Sequence, residues 1–264
     1  MPKKSAYLLA AVTVVPLWAQ AQQPALNDIE RLGREIFFDE ALSNPPGQAC
    51  ASCHDPASGW TSDDAVINAN GAVYHGAVES RFGSRKPPSV SYASLSPVFH
   101  YDPQEALFIG GSFWDGRATG WLTGDPLVEQ AQGPFLNPLE QNIESVERVV
   151  AMVCGSDYGA QLRAVYGQDI CGNTISAYNA IGRAVATYER SSEVNAFSSK
   201  YDYYLKDPVK YPLSRQELLG LQVFEDEGKG NCAACHPSST SEAVSYTHLT
   251  LPTTGSWGCW AGGG

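Results

Sequence analysis

The chain has 264 residues, of which 43% are hydrophobic and 17% are charged, a composition typical of globular proteins that does not by itself choose a fold. Its formal net charge of −11 repels phosphate backbones and leaves no basic stripe, which excludes nucleic acid as a partner. The length allows one large domain or two small ones.

The N-terminus has the pattern of a secretory signal. Lys3 and Lys4 precede an apolar run from Ala6 to Trp18, and small residues end the segment at Ala21. A membrane anchor is the alternative, but the run is shorter than the roughly 20 residues that cross a bilayer. We therefore expect cleavage near Ala21, export, and a soluble periplasmic product.

Capping boxes predict two helices in distant parts of the chain. Asn27 is followed three residues later by Glu30, and Ser214 by Glu217, in each case just before apolar residues at helical spacing. The first of these helices should extend to about Phe38.

An internal repeat includes both helices. The segment Leu32–Phe37 matches Leu219–Phe224, with Leu-Gly at the start and two apolar residues at the end. A Cys-x-x-Cys-His motif follows each copy, at Cys50–His54 and at Cys232–His236. The repeat indicates two modules, because each motif with its cofactor needs its own shell of apolar side chains.

The duplicated motif predicts two covalently attached c-type haems. Two thiols one turn apart can each add to a haem vinyl group while the adjacent imidazole meets the iron. A zinc site or a redox dithiol is the alternative, and the histidine that directly follows each cysteine pair argues against both. The expected attachment residues are Cys50, Cys53, Cys232 and Cys235, and the expected iron ligands are His54 and His236.

Two further helices are predicted between the motifs, over Ser145–Met152 and Thr174–Arg190. The second should bury a stripe formed by Ile175, Tyr178, Ile181, Val185 and Tyr188. Cys154 and Cys171 remain as an even pair, which in an oxidising compartment predicts a disulfide.

Three segments rich in glycine and proline are predicted to be irregular: Ser43–Gln48, Gly83–Pro97 and Gly110–Asn142. Long irregular segments are uncommon unless they serve a function. In a haem protein we expect them to build the distal pocket.

Several motifs in order along the chain resemble the bacterial di-haem cytochrome c peroxidase and MauG family. They cover most of the chain between residues 27 and 237, and Phe-Trp-Asp-Gly-Arg with Asn-Pro-x-Glu makes the resemblance specific. The motifs are Leu32–Asp39, Cys50–His54, Phe113–Arg117, Glu129–Pro134, Asn137–Glu140, Ala184–Arg190 and Cys232–His236.

The resemblance implies roles for three further residues. In this family peroxide reacts at the first haem, and the second haem receives electrons from a small donor protein. Trp114 matches the tryptophan between the two haems, and Glu140 matches the distal carboxylate that moves a proton between the peroxide oxygens. Chemistry requires such a group, because O–O cleavage needs a base for one oxygen and an acid for the other. Arg117 is expected to hold a haem propionate or to steady its loop.

The chain also departs from the family pattern. Gln141 stands where many members have methionine, and about six extra residues, 120–125, follow the Phe-Trp-Asp-Gly-Arg motif. Ser84 stands near the place where some peroxidases carry a distal histidine. His75 and His100 are the remaining candidates for a sixth ligand; without one, the first haem is five-coordinate.

The resemblance implies an all-α fold with two cytochrome c-like haem domains, the second incomplete. We expect a signal peptide at 1–21, the N-terminal peroxidatic domain at 22–205, and the start of the electron-transfer domain at 206–243. Residues 244–264 resemble a translated sequencing adapter and receive no functional weight. The family takes a distal Met or Tyr for the second haem from beyond the second motif, and this chain holds only Met1 and Met152. We therefore do not expect this truncated chain to be a competent enzyme.

The activity implied for the intact protein is reduction of hydrogen peroxide to water, with electrons from a small periplasmic cytochrome c or cupredoxin. A MauG-type oxidase acting on a protein substrate and a non-catalytic electron-transfer cytochrome are the alternatives. Many relatives hold Ca²⁺ between their domains and form homodimers, and both features carry over by analogy alone.

Overall fold

The computed structural model describes residues 25–104 and 106–234, together with His236 and Ser238. The expected signal peptide and the tail at 244–264 lie outside the described residues. The helices are α1 (Asp28–Phe37), α2 (Ala65–Ala69), α3 (Pro126–Leu136), α4 (Val146–Gly155), α5 (Gly159–Tyr166), α6 (Thr174–Glu189), α7 (Lys200–Lys206) and α8 (Arg215–Glu225). None of the helices in the described ranges is long and apolar enough to cross a membrane.

The structure is mostly helical, which confirms the coarse fold prediction. The exception is a two-stranded antiparallel sheet of β1 (His100–Asp102) and β2 (Leu107–Ile109), with Tyr101 opposite Phe108. This hairpin lies in the long connection between α2 and α3 and was not predicted from the sequence.

The capping residues predicted from the sequence begin their helices as expected. The Asn27 side chain accepts from the N–H groups of Ile29 and Glu30, and the Glu30 carboxylate accepts from the Asn27 N–H. Ser214 and Glu217 make the same reciprocal bonds at the start of α8. Each box satisfies backbone donors that the first helical turn leaves without partners.

Helix α6 is the centre of the core and contacts α1, α3 and α4. Four residues of its predicted stripe are buried, namely Tyr178, Ile181, Val185 and Tyr188. The prediction was wrong for Ile175, which is 64% exposed. Ile175 lies in the first turn of α6, just after the Asn173 cap, where the helix starts at the protein surface.

Gly33 lets α1 approach α6 closely. A Cβ atom at this position would lie 1.9 Å from the carbonyl oxygen of Ala184 and 2.8 Å from Cβ of Tyr188. The neighbouring Leu32, Ile36 and Phe37 are fully buried. The contact therefore depends on the absence of a side chain at one position of α1.

The irregular structure predicted for Gly110–Asn142 is wrong over α3. Asp125 caps this helix by accepting from the Leu127 N–H at 3.0 Å. Pro126 occupies the first helical position, where a backbone N–H would have no partner within the helix, so the missing N–H of proline breaks no bond. Gly133 and Pro134 concealed the helix in the sequence. An Asp-Pro pair before apolar residues was the available signal.

The predicted disulfide between Cys154 and Cys171 is confirmed. It ties the end of α4 to the turn before α6, and closing a loop of this length stabilises a fold by on the order of 3 kcal/mol.

The Gly33 contact predicts the effect of Gly33→Ala. The new methyl group would overlap the Ala184 carbonyl, so we expect the free energy of unfolding to fall by about 1–3 kcal/mol, measured by denaturant titration. Gly220→Ala is the matched control, because Gly220 occupies the same place in the second repeat and no described residue lies within 4 Å of its Cβ position. The control should be neutral or stabilising by up to about 1 kcal/mol. Equal effects of the two changes would contradict this account of the α1–α6 contact.

Candidate active site

A cavity of about 830 Å³ lies between the first Cys-x-x-Cys-His motif, the segment 83–90, α3 and α6. Its size is in the upper part of the 300–1,000 Å³ typical of ligand and cofactor pockets. Every site residue predicted around the first motif lines it, namely Cys50, Cys53, His54, Trp114, Arg117 and Glu140. The three glycine- and proline-rich segments all contribute to the wall, as expected for the loops of a distal pocket.

The first motif forms a short 3-10 turn over Cys50–Ser52 that sets both cysteines on the cavity wall. The Ser52 hydroxyl accepts from the Ala49 N–H at 3.0 Å, and the His54 N–H donates to the Cys50 carbonyl at 3.0 Å. Burial raises the pKa of both thiols, that of Cys53 to about 11. Both sulfurs are therefore protonated at neutral pH.

The ring of His54 is oriented by the backbone carbonyl of Trp60, six residues further along the chain. Its Nδ1 lies 3.3 Å from the Trp60 carbonyl oxygen, which requires Nδ1 to carry the proton and donate. Burial also lowers the pKa of His54, so the ring is neutral. In this tautomer the lone pair lies on Nε2, as in the usual arrangement of a ligating histidine whose other nitrogen is held by a hydrogen bond.

These residues fit a c-type haem. Two free thiols and a neutral imidazole line one cavity of suitable size. The wall also holds buried oxygen atoms without a hydrogen-bond partner among the described residues: Gln48 Oε1, Gln130 Oε1, Gln141 Oε1 and Glu189 Oε2. Buried polar atoms are normally bonded, so these four indicate a ligand or ordered water inside the cavity.

Glu140 is fixed at the cavity by its backbone. Its N–H donates to the Asn137 carbonyl at 3.0 Å, and its carbonyl accepts from the Ala77 N–H at 2.8 Å. Burial raises the pKa of its carboxyl group, although a hydrogen bond from Asn137 and the charge of Arg117 act in the opposite direction. The raised pKa makes the protonated form of this carboxyl group more accessible than that of an exposed glutamate.

Trp114 and Arg117 line the same cavity as Glu140 and lie close to the surface. The Trp114 indole is 39% exposed, and its Nε1–H donates to the Lys86 carbonyl at 2.9 Å. The Arg117 guanidinium lies 3.8 Å from the centre of the Phe113 ring and pairs with Asp115 at 2.9 Å. The structure therefore brings both residues to the cavity with their side chains already held.

The two candidates for a sixth ligand differ in position. His75 lines the cavity, with Nδ1 2.8 Å from the Gly76 carbonyl oxygen. His100 is not part of the cavity wall, and its ring is exposed beside the Val98 carbonyl. Ser84, near the position of the distal histidine in some peroxidases, lines the cavity.

The structure also shows the surroundings of the other residues that depart from the family pattern. Gln141 is buried, and its amide nitrogen donates to the Leu42 carbonyl at 2.8 Å. The extra segment 120–125 does not belong to the cavity wall. The Glu129 carboxylate holds that segment by accepting from the N–H groups of Gly120, Leu122 and Thr123.

Sequence reasoning missed Glu189, which lines the cavity and is only 3% exposed. Burial raises the pKa of Glu189 to about 8, so this carboxyl group is mostly protonated at neutral pH. The available signal was spacing: Glu189 follows Val185 by four residues and so shares its buried face of α6.

The second motif begins with the same local structure as the first. Cys232–Ala234 forms a 3-10 turn, and the His236 N–H donates to the Cys232 carbonyl at 2.8 Å. Cys232 and His236 are exposed, and Cys235 lies outside the described residues. In α8 the repeat residues Leu219 and Val223 are 52% and 46% exposed, unlike the buried counterparts in α1.

A family model described as di-haem cytochrome c peroxidase matches residues 16–210. The methylamine utilization protein MauG of Paracoccus denitrificans is 35% identical over 88% of this chain and 57% of its own length. The cytochrome c551 peroxidase of Pseudomonas aeruginosa is 31% identical over 81% of this chain and 51% of its own length. The crystal structure of the diheme peroxidase BthA from Burkholderia thailandensis matches with a TM-score of 0.69 and 33% identity, covering 86% of this chain and 53% of that protein.

The chain thus spans between half and three fifths of the length of these relatives. Both the sequence matches and the structural match cover the part that builds the cavity. The chain belongs to the di-haem cytochrome c peroxidase family.

Proposed function

We propose that the chain is the peroxide-reacting part of an exported di-haem cytochrome c peroxidase, which reduces hydrogen peroxide to water with electrons from a small periplasmic donor protein. The observation that carries this proposal is that Glu140 and His54 line the same cavity. An iron ligand and a proton-exchanging carboxyl group are the two protein groups that peroxide cleavage requires.

The first haem would be held at three points. Thioether bonds from Cys50 and Cys53 would fix its edge, and Nε2 of His54 would bind the iron. The Trp60 carbonyl keeps the imidazole in the required tautomer. Once bound, the haem supplies the iron at which the O–O bond of peroxide is reduced by two electrons.

Glu140 would carry the proton. Its carboxylate would accept a proton from one peroxide oxygen, and the resulting acid would donate that proton to the departing oxygen, which would leave as water. Burial supports this role, since it raises the pKa of the carboxyl group and so makes its protonated form, the acid of the second proton transfer, more accessible.

Electrons would enter through the second haem, attached at Cys232 and Cys235 and ligated by His236. In this proposal residues 206–243 begin that electron-transfer domain, and residues 22–205 form the peroxidatic domain. The partly exposed Trp114 is suited to lie between the two haems, and Arg117 to bind a propionate. A signal peptide at 1–21, a calcium ion between the domains and a homodimer complete the proposal by analogy with the family.

A MauG-type oxidase acting on a protein substrate is the second candidate. Ser84, rather than a histidine, faces the cavity near the distal position, and a MauG protein is among the relatives with the higher identities. A first haem without a displaceable distal histidine would need no reductive activation. Oxidation of a protein partner in place of a reduced cytochrome would distinguish this candidate.

Covalent attachment at the first motif predicts a mass change. Expressed with haem-attachment machinery, the unchanged protein should keep the mass of every attached haem after denaturation. Cys50→Ser/Cys53→Ser, expressed in the same way, should lack the mass of one haem. Cys154→Ser/Cys171→Ser is the control; it should keep every haem while losing on the order of 3 kcal/mol of stability. Retention of the full haem mass in Cys50→Ser/Cys53→Ser would rule out attachment at this motif.

Glu140→Gln should lower the rate constant for the reaction of the haem with peroxide by about 10²–10⁴-fold, the usual contribution of one acid–base group. The measurement is stopped-flow absorbance of the haem-loaded protein. Glu144→Gln is the matched control, because Glu144 lies four residues away, largely exposed, and paired only at 3.8 Å with Arg148. Unchanged kinetics in Glu140→Gln, with haem content preserved, would remove Glu140 from the mechanism.

The raised pKa of Glu140 also predicts the pH dependence. The carboxylate form is the base that accepts the first proton, so the rate constant should rise with pH through an apparent pKa above the ordinary glutamate value of about 4.3. This step in the pH profile should be missing from Glu140→Gln. A pH profile that Glu140→Gln leaves unaltered would assign the titration to another group.

A further inference from the structure

Two oxidisable rings, those of Trp60 and Tyr188, lie in direct contact, and Trp60 is hydrogen-bonded to His54 through its carbonyl. The Trp60 and Tyr188 rings have centroids 6.0 Å apart at an angle of 73°, and Phe37 packs against both at 5.9 and 5.5 Å. Trp60 is 7% exposed and Tyr188 is fully buried. The pair therefore lies in the core, shielded from water, and neither residue lines the cavity.

Trp60 is coupled to the ligand by a hydrogen bond. Its carbonyl accepts from Nδ1 of His54 at 3.3 Å, so a single residue connects the imidazole to the ring contact with Tyr188. Its backbone has a φ of +61°, a conformation that is costly for a bulky side chain. Such strain persists where the surrounding structure holds it in place and is concentrated at functional sites.

Tyr188 has a proton acceptor at its hydroxyl. The hydroxyl donates to Oε1 of Glu193 at 2.7 Å, and the same carboxylate oxygen accepts from Nε of Arg34 at 3.0 Å. The Arg34 and Glu193 side chains are 45% and 33% exposed, so this end of the chain of contacts reaches the surface. Burial and the nearby Glu193 raise the pKa of Tyr188, which keeps the phenol protonated while the ring is in its resting state.

From this geometry we propose that Trp60 and Tyr188 form a one-electron path from the first haem toward the protein surface, with Tyr188 as the site of a radical and the Glu193 carboxylate as the acceptor of its proton. The inference rests on the proposed function for its oxidant, the haem centre after it has reacted with peroxide. Phe37 is too hard to oxidise to take part and acts as packing between the two rings.

The transfer balances in electrons and protons. One electron leaves Tyr188 and passes by way of Trp60 to the haem centre, which is reduced by one electron. The O–H bond of Tyr188 breaks as its proton moves to the Glu193 carboxylate, leaving a neutral tyrosyl radical. A reduced small protein or another one-electron donor at the surface restores the phenol, with the proton returned from Glu193.

The path would serve the protein when the usual electron donor is absent. Reaction with peroxide would leave two oxidising equivalents at the haem centre, and an equivalent retained there would oxidise the haem or the side chains around it. Moving it to a phenol whose hydroxyl bonds the partly exposed Glu193 brings it closer to the surface, so that a surface donor has a shorter distance to cover. The path is thus a second exit for oxidising equivalents, separate from Trp114 and the second haem.

The test is a freeze-quench electron paramagnetic resonance experiment on the haem-loaded protein mixed with one equivalent of hydrogen peroxide and no donor. We expect a tyrosyl signal that is lost in Tyr188→Phe and diminished in Trp60→Phe and Glu193→Gln. Repeated peroxide additions should bleach the haem sooner in Tyr188→Phe than in the unchanged protein.

Tyr158→Phe is the matched control. Tyr158 also donates its hydroxyl to a carboxylate, that of Asp39, but its ring contacts neither Trp60 nor Tyr188 within the described part of the chain. It should keep the signal. Loss of the signal in Tyr158→Phe with retention in Tyr188→Phe would overturn the inference.

A second measurement separates this inference from the proposed function. A ruthenium(III) complex generated by a laser flash can oxidise the haem-loaded protein by one electron without peroxide. A Tyr188 radical after the flash, in a protein that does not react with peroxide, supports the path and overturns the proposed function. A haem that reacts with peroxide but yields no Tyr188 radical in either experiment, with haem bleaching unchanged in Tyr188→Phe, overturns the path.

Discussion

The close contact between α1 and α6 at Gly33 is the constraint on which the rest of the structure depends. Because no side chain separates the helices, the apolar residues of α1 pack directly against α6. Helix α1 leads into the first Cys-x-x-Cys-His motif, and the last turns of α6 supply Val185 and Glu189 to the cavity wall. One helix–helix contact therefore sets the position of the cavity relative to its cysteines and its histidine.

The chemistry of the cavity follows from burial. Desolvation keeps His54 neutral and raises the pKa values of Glu140 and Glu189, so the groups around the cofactor favour uncharged forms. A charge in such surroundings is costly unless it is paired, which favours proton transfer over charge separation. The acidic groups thus suit a reaction in which a proton moves between two oxygen atoms.

Local signals in the sequence predicted much of this structure. Asn27 with Glu30, Ser214 with Glu217, the pair Cys154–Cys171 and the duplicated motif each depend on residues that are close in sequence or few in number. Trp114, Arg117 and Glu140, which the family motifs single out, line a common cavity. Their chemical roles remain predictions.

The sequence failed where tertiary packing decides the outcome. Helix α3 contains Gly133 and Pro134, which penalise an isolated helix, but its contact with α6 stabilises it in the fold. Ile175 fits the apolar period of α6 and yet is exposed, because no partner packs beside that first turn among the described residues. Glu189 reads as a surface charge until the cavity beside α6 is known.

The measurement that most directly tests the central claim is the electron paramagnetic resonance spectrum of the first haem in the resting ferric protein. If His54 is the one protein ligand of the iron and Glu140 lines the cavity without binding it, the first haem should give a high-spin signal. A low-spin signal that persists when peroxide is added would contradict the account, because it would mean that the first haem has two protein ligands. His75, which lines the cavity, would be the candidate for the second ligand. Such a result would favour an electron-transfer cytochrome.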